Sequence, residues 1–273
     1  MNKAKLLLPL LALALLVSPA PASAWAPAGQ ATIHPGVQTF TEGAQCTANF
    51  VFQEGEDVYL GQAAHCAGTG GATETDGCES GSLPLGTQVE VTGASHPGTL
   101  AYSSWLTMQA RGETDPDACA FNDFALVRID PADVAKVNPS VPGFGGPTGL
   151  GPAGEIGSTV YSYGNSSLRA GIRQLRPKQG VLVGNSGSGW SHEVLTVTPG
   201  VPGDSGSGFL NASGAAFGTL STLQIAPLAG SNGVGDLARE LSYLRSHTSH
   251  TAMQLVPGTE PWRPNLVGAI LGS

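Results

Sequence analysis

The sequence predicts an all-β protein of two antiparallel halves, closed off by one C-terminal helix. Three observations carry this. Short runs of β-branched and aromatic residues recur between Gly, Pro and Asn turns along most of the chain. A Pro/Gly-rich stretch, residues 139–154, splits those runs into two sets and reads as a connector. Apolar residues at helical spacing stand out in one place, near the C-terminus.

The elements follow in order. Residues 1–24 have the layout of a secretory signal peptide. Lys3 and Lys5 supply the positive start, residues 6–17 the apolar core, and Ala22-Ser23-Ala24 a small-residue cleavage site. The apolar run is too short for a comfortable membrane span. Strands of the first half are expected at 50–52, 58–60, 89–91, 100–108 and 124–129. Those of the second half are expected at 160–163, 172–175, 181–183, 194–197, 208–210 and 216–225. Val234, Leu237, Ala238, Leu241 and Leu244 then mark a helix with Asp236 as its N-cap. Residues 251–273, with Pro257, Pro261 and Pro264, read as an extended tail. Its apolar piece, 266–271, is too short to span a membrane.

Composition narrows the partners. The formal net charge is −8 and becomes more negative without Lys3 and Lys5. No Lys or Arg occurs between Trp25 and Ala110. Nucleic acid and anionic membranes both require basic patches, so neither is an expected partner. Four cysteines in a chain with a secretory leader imply two disulfides, and three pairings are possible. No Cys-x-x-Cys pair suggests zinc. Asp115 and Asp117 read as a solvated turn rather than a calcium loop. No metal or cofactor is expected.

Three motifs carry chemistry: Ala63-Ala64-His65-Cys66, Asn122-Asp123-Phe124-Ala125-Leu126 and Gly203-Asp204-Ser205-Gly206. Each alone has an ordinary reading: a core histidine, a turn aspartate, a polar turn. Together they hold what a serine nucleophile needs. A serine hydroxyl requires a base near neutral pH, and the base requires an orienting partner. Ser205, His65 and Asp123 fill those roles in that order.

In order and local sequence the three motifs resemble chymotrypsin-like (trypsin-family) serine proteases, in particular secreted bacterial members. The resemblance runs from about residue 46 to about residue 247. It implies two six-stranded antiparallel β-barrels with a cleft between them, within a protease domain at 25–250. His65 and Asp123 would come from the first barrel and Ser205 from the second. The C-terminal helix would pack on the second barrel. The N–H groups of Gly203 and Ser205 would form an oxyanion hole, and Ser221 would lie beside Asp123. The pair Cys46–Cys66 resembles the family's histidine-loop disulfide. Cys78–Cys119 then follows from sequence order alone.

The resemblance also frames Asp204. In many relatives this carboxylate meets a new amino terminus released by cleavage after Arg or Lys. Residues 25–45 contain neither. An internal cation is expected instead: Arg169, in a loop from Tyr163 that resembles the family's, with Arg173 second. Trypsin-like members carry an aspartate six residues before the nucleophile. Here that position is Pro199, so an uncharged P1 side chain is expected. Ser207 stands where the family usually has glycine, and Leu223 where pockets often have glycine. No cysteines are available to brace the pocket.

The implied protein is a secreted, extracellular, monomeric serine endopeptidase acting on protein or peptide substrates. The alternative is a protease fold that binds with weak or no turnover. An α/β-hydrolase esterase fails on motif order and lacks the Gly-x-Ser-x-Gly elbow.

Overall fold

The computed structural model describes residues 25–71, 76–223 and 230–272. The predicted leader, the end of the predicted strand at 224–225 and the side chain of Leu223 lie outside the described residues.

In the first half, β1 (Gln38–Thr41), β2 (Ala44–Thr47), β3 (Val51–Glu54) and β4 (Asp57–Gln62) precede β5 (Gln88–Val91) and β6 (Gly98–Ser103). Helices α1 (Ser104–Arg111) and α2 (Pro116–Phe121) follow, then β7 (Ala125–Arg128). The second half contains β8 (Thr159–Tyr163), β9 (Pro177–Ser186), β10 (Ser191–Val197), β11 (Gly208–Asn211), β12 (Ala216–Leu223) and β13 (Asn232–Asp236). After it come α3 (Leu237–His247), β14 (Gln254–Leu255) and α4 (Leu266–Leu271).

The second half closes into an antiparallel six-stranded barrel in the order β10-β13-β12-β11-β8-β9. The first half differs from the six-stranded barrel expected there. It is an eight-stranded sheet, β14-β3-β4-β7-β6-β5-β1-β2, which does not close among the described residues. Its extra edge is β14, from the C-terminal tail, paired with β3 through Gln254 and Gln53 and through Leu255 and Phe52.

Other expectations are corrected locally. The apolar run 100–108 is not one strand. It leaves the sheet at Ser103 and becomes α1, because Trp105 and Met108, three apart, bury one helical face. Residues 172–175 are a short 3-10 turn, since Ala170 and Gly171 both adopt positive φ and break an extended run. Val234 lies in β13. The helix begins only at Leu237, where the Asp236 carboxylate accepts from the Arg239 N–H. Asp115 caps α2, accepting from the Asp117 N–H, so this pair marks a helix start. The tail is not extended throughout. Asn265 accepts from Gly268 N and Gly272 adopts the left-handed conformation, and between them 266–271 is helical.

One apolar cluster binds the two halves. Phe50, Phe52, Tyr102 and Phe124 from the first meet Tyr161, Tyr163 and Leu210 from the second, with Leu237, Leu241 and Leu244 of α3. Those three leucines are fully buried, and each contributes about 1.5–3 kcal/mol. The tail straps the connector. Gly258 N donates to Pro147 O and Arg263 N to Phe144 O, while Trp262 packs edge-on against Tyr161.

Candidate active site

His65 sits in a 3-10 turn, Ala64–Ala67, directly after β4. A disulfide joins its neighbour Cys66 to Cys46 at the end of the β1–β2 hairpin. Asp123 lies between α2 and β7 and is 2% exposed. Its loop is gripped on both sides by one hydroxyl. Ser104 Oγ donates to Asn122 O at 2.7 Å and accepts from Phe124 N at 3.0 Å. A second disulfide, Cys78–Cys119, holds α2 in place just ahead of the loop.

Asp123 engages His65 through both oxygens. Oδ1 accepts from the His65 backbone N–H at 2.9 Å, and Oδ2 lies 2.6 Å from Nδ1. Ser221 Oγ also donates to Oδ2, at 2.6 Å. Burial opposes charge on Asp123, but His65, Ser221 and the His65 amide outweigh it and hold the carboxyl below its ordinary pKa. Burial likewise opposes a charged imidazole, yet Asp123 outweighs it and raises His65 above its ordinary value. With Nδ1 committed to Asp123, Nε2 is the ring nitrogen left for other chemistry.

Ser205 lies in the turn leading into β11. Its carbonyl accepts from Thr47 N at 2.8 Å, which ties this turn to the first half. Gly203 adopts φ +92°, a conformation that favours glycine, and an added Cβ would fall 2.5 Å from Gln45 Oε1. The Pro202 carbonyl accepts from Ser166 Oγ at 2.6 Å. In a trans peptide the N–H points opposite to the C=O, so the Gly203 N–H faces away from Ser166. The Gly203 carbonyl is itself held by Gln45 Nε2 and Thr47 Oγ1, at 2.8 and 2.7 Å. Among the described residues, neither Gly203 N nor Ser205 N has an internal acceptor.

Ser205 and His65 line one cavity of about 570 Å³, with Gln45, Trp105, Leu220 and Asn232. No hydrogen bond closes between the Ser205 hydroxyl and His65 among the described residues. No Asp, Glu, Lys or Arg lines the cavity among them. Pro199 presents a carbonyl, which accepts from Arg169 Nη2 at 2.7 Å.

Asp204 points the other way and is fully buried. Its Oδ2 lies 2.7 Å from Arg169 Nη2 and 3.1 Å from Lys178 Nζ. Ser166 N donates to Oδ1 and Val201 N to Oδ2. Burial pushes the Asp204 pKa up, but the two cations and the Ser166 amide more than reverse this. No local signal in the sequence marks Lys178 as a partner of Asp204. A lysine in a strand reads as a solvated side chain, since burial of lysine requires a partner. Arg173 is exposed and lines a separate cavity beside the connector. Ser207 is fully buried, and its hydroxyl donates to the Asp204 carbonyl at 2.6 Å. The turn therefore has room for the serine and uses it.

Potential metal ligands gather in two places among the described residues, Cys46–His65–Cys66 and Asp76–Cys78–Cys119. In each, both sulfurs are spent in a disulfide.

No protein-family model and no curated protein matches the sequence. Solved structures do resemble the fold. Protease A of Thermobifida fusca superposes with a TM-score of 0.54 at 20% identity, covering 83% of this chain and 99% of its own. A glutamic acid specific serine protease gives 0.52 at 18% identity, covering 82% and 100%. The chain has the fold of bacterial chymotrypsin-like serine proteases.

Proposed function

We propose that this protein is a secreted serine endopeptidase. Ser205 is the nucleophile, His65 the general base and then acid, and Asp123 the residue that fixes the imidazole. The observation that carries this reading is the two-oxygen grip of Asp123 on His65, with Ser205 on the wall of the same cavity. Nε2 takes the Ser205 proton as the hydroxyl attacks a peptide carbonyl, then gives it to the leaving amine. Water repeats the sequence on the acyl-enzyme. An open Ser205–Nε2 contact is common in unliganded sites and tightens in the substrate complex.

The free N–H groups of Gly203 and Ser205 receive the oxyanion. One such donor is worth about 2.7–4 kcal/mol in the transition state. Arg169 and Lys178 compensate Asp204 from within the second barrel, so this turn forms without a newly cleaved amino terminus. The described cavity lining holds no Asp, Glu, Lys or Arg, which disfavours a charged P1 side chain that would be desolvated without a partner. Two disulfides fit an oxidising, extracellular setting.

The test is chemical. An active-site phosphonylating reagent is expected to add its mass at Ser205, and casein is expected to be cleaved by the wild type but not by S205A. A folded wild-type protein that neither labels nor cleaves would sink the reading.

A further inference from the structure

We propose that Glu240 is a positioning residue for Asp123, buried and bonded to the same strand whose Ser221 holds that carboxylate. The proposal rests on the catalytic reading of Asp123 given above.

Glu240 lies in the first turns of α3 and is fully buried. Its Oε2 accepts from Thr219 Oγ1 at 2.9 Å. Thr219 is two residues before Ser221 on β12, and Ser221 donates to Asp123 Oδ2. One strand thus holds both carboxyls through neighbouring hydroxyls. The backbone amide of Asp123 also approaches the Glu240 carboxyl. Oε1 makes no hydrogen bond among the described residues. It occupies the space that a side chain at residue 235 would need, since a Cβ on Gly235 would fall 2.3 Å away. The Phe121 carbonyl lies beside the same point. The glycine therefore makes room for this acid.

The charged groups around Glu240 decide its protonation. Asp123 faces it from the loop before β7 and Asp236 from the α3 N-cap, and both are acidic. Tyr102 of β6 contributes a buried hydroxyl without a hydrogen-bond partner among the described residues. Among the described residues, the leading influences on Glu240 include no cation. Two buried carboxyls this close cannot both ionise cheaply. Asp123 has His65 and Ser221 to stabilise its charge. Glu240 has one neutral hydroxyl and one approaching amide. Burial, the largest cause, holds the Glu240 carboxyl well above its ordinary range. A neutral acid can then fill the space behind Asp123 without repelling it.

The experiment compares wild type, E240Q and E240L in the full chain. Steady-state kinetics, pH–rate profiles and the low-field NMR signal of the His65 Nδ1 proton are read together. E240L is expected to lower kcat by about 10–100-fold with KM little changed, as for a misplaced catalytic group. It should also shift or broaden the Nδ1 proton signal. E240Q, neutral and of the same shape, is expected to restore kcat and the signal. A folded E240L with wild-type kcat and an unmoved signal overturns the proposal. If E240L does not fold, the shorter acid of E240D decides: a kcat and Nδ1 signal unchanged from wild type overturn the proposal, and a lowered kcat with a moved signal supports it. Wild-type protein without turnover or Ser205 labelling overturns the catalytic reading and this one together. Normal wild-type turnover with indifferent Glu240 variants overturns this one alone.

Discussion

Arg169 and Asp204 form a buried ion pair, with Nη2 2.7 Å from Oδ2 and the carboxylate fully shielded from solvent. The same guanidinium bonds Thr198 Oγ1 and the Pro199 carbonyl. It therefore links the residue before Ser205 to the segment that leads into the cavity wall.

Replacing Arg169 by Leu strands part of the Asp204 charge and frees Thr198 and Pro199. Breaking one side of a buried pair costs about 3–5 kcal/mol. R169L is expected to lose that much in urea unfolding and to lose turnover, while Asp123 still holds His65. R169K should recover only part of the loss, because an ammonium cannot make the forked contacts. Wild-type activity in R169L would show that Asp204 does not depend on it.

Lys178 is the second cation on Asp204. Burial is the main reason its pKa falls from 10.5 to about 8, and the nearby Arg169 charge adds to the fall. The sign follows from proton counting. Between these two values the folded state binds fewer protons than the unfolded chain, so this group adds stability as pH rises through the window. Below it, keeping Lys178 charged costs about 3 kcal/mol. K178M leaves Asp204 paired with Arg169. It is expected to match or exceed wild-type stability at neutral pH, with its relative advantage shrinking as pH climbs through the window. Paired denaturation midpoints measure this. A difference that does not vary with pH would contradict it.

In the proposed mechanism the His65 pKa sets the acid limb of activity. Burial alone would lower it, but Asp123 raises it above 6.5. Because the base must be neutral, kcat/KM should fall as pH drops through a value above 6.5. D123N should reduce kcat by about 10⁴-fold. S221A removes one bond to the charged carboxylate and should cost about 10–100-fold. A pH–rate series on all three proteins checks both limb and magnitude. An acid limb below the ordinary histidine value would count against the assignment.

Gly164 is a steric probe of the Asp204 cluster. A Cβ there would fall 2.4 Å from Asp204 Oδ1 and 2.8 Å from Lys178 Cε. G164A is expected to destabilise by about 1–3 kcal/mol through overpacking. It should also reduce Ser205 labelling, since Asp204 adjoins Ser205. Thermal melts and labelling rates read both effects. An unchanged melt would mean the pocket around Asp204 is looser than the contacts indicate.

Most strands, the helix cap at Asp236 and the three motifs were legible because their signals are local. β-branched runs, Asx caps and the Gly-Asp-Ser-Gly turn reflect preferences of a few adjacent residues. The short polar strands β1 and β2 carry no such pattern. Gln38, Thr39, Gln45 and Thr47 pair as strands because the neighbouring sheet demands it. The stop signals around α4, Asn265 and Gly272, were present in the sequence but lay within a proline-rich stretch read as extended.

By itself the sequence determined the order of the chemical groups, the two-half organisation and the need for an internal cation at Asp204. The first two follow from residue identity and short-range propensity, and the third from the resemblance to chymotrypsin-like proteases together with the lack of Lys and Arg at 25–45. The tertiary structure decided that Lys178 joins Arg169 on one carboxylate oxygen, that Glu240 is buried and bonded to Thr219, and that the sheet of the first half, not closed among the described residues, gains β14 as an edge. These depend on burial and on partners far apart in the chain. A lysine or glutamate is left in water unless the fold supplies a reason to desolvate it, and no run of neighbouring residues encodes that reason.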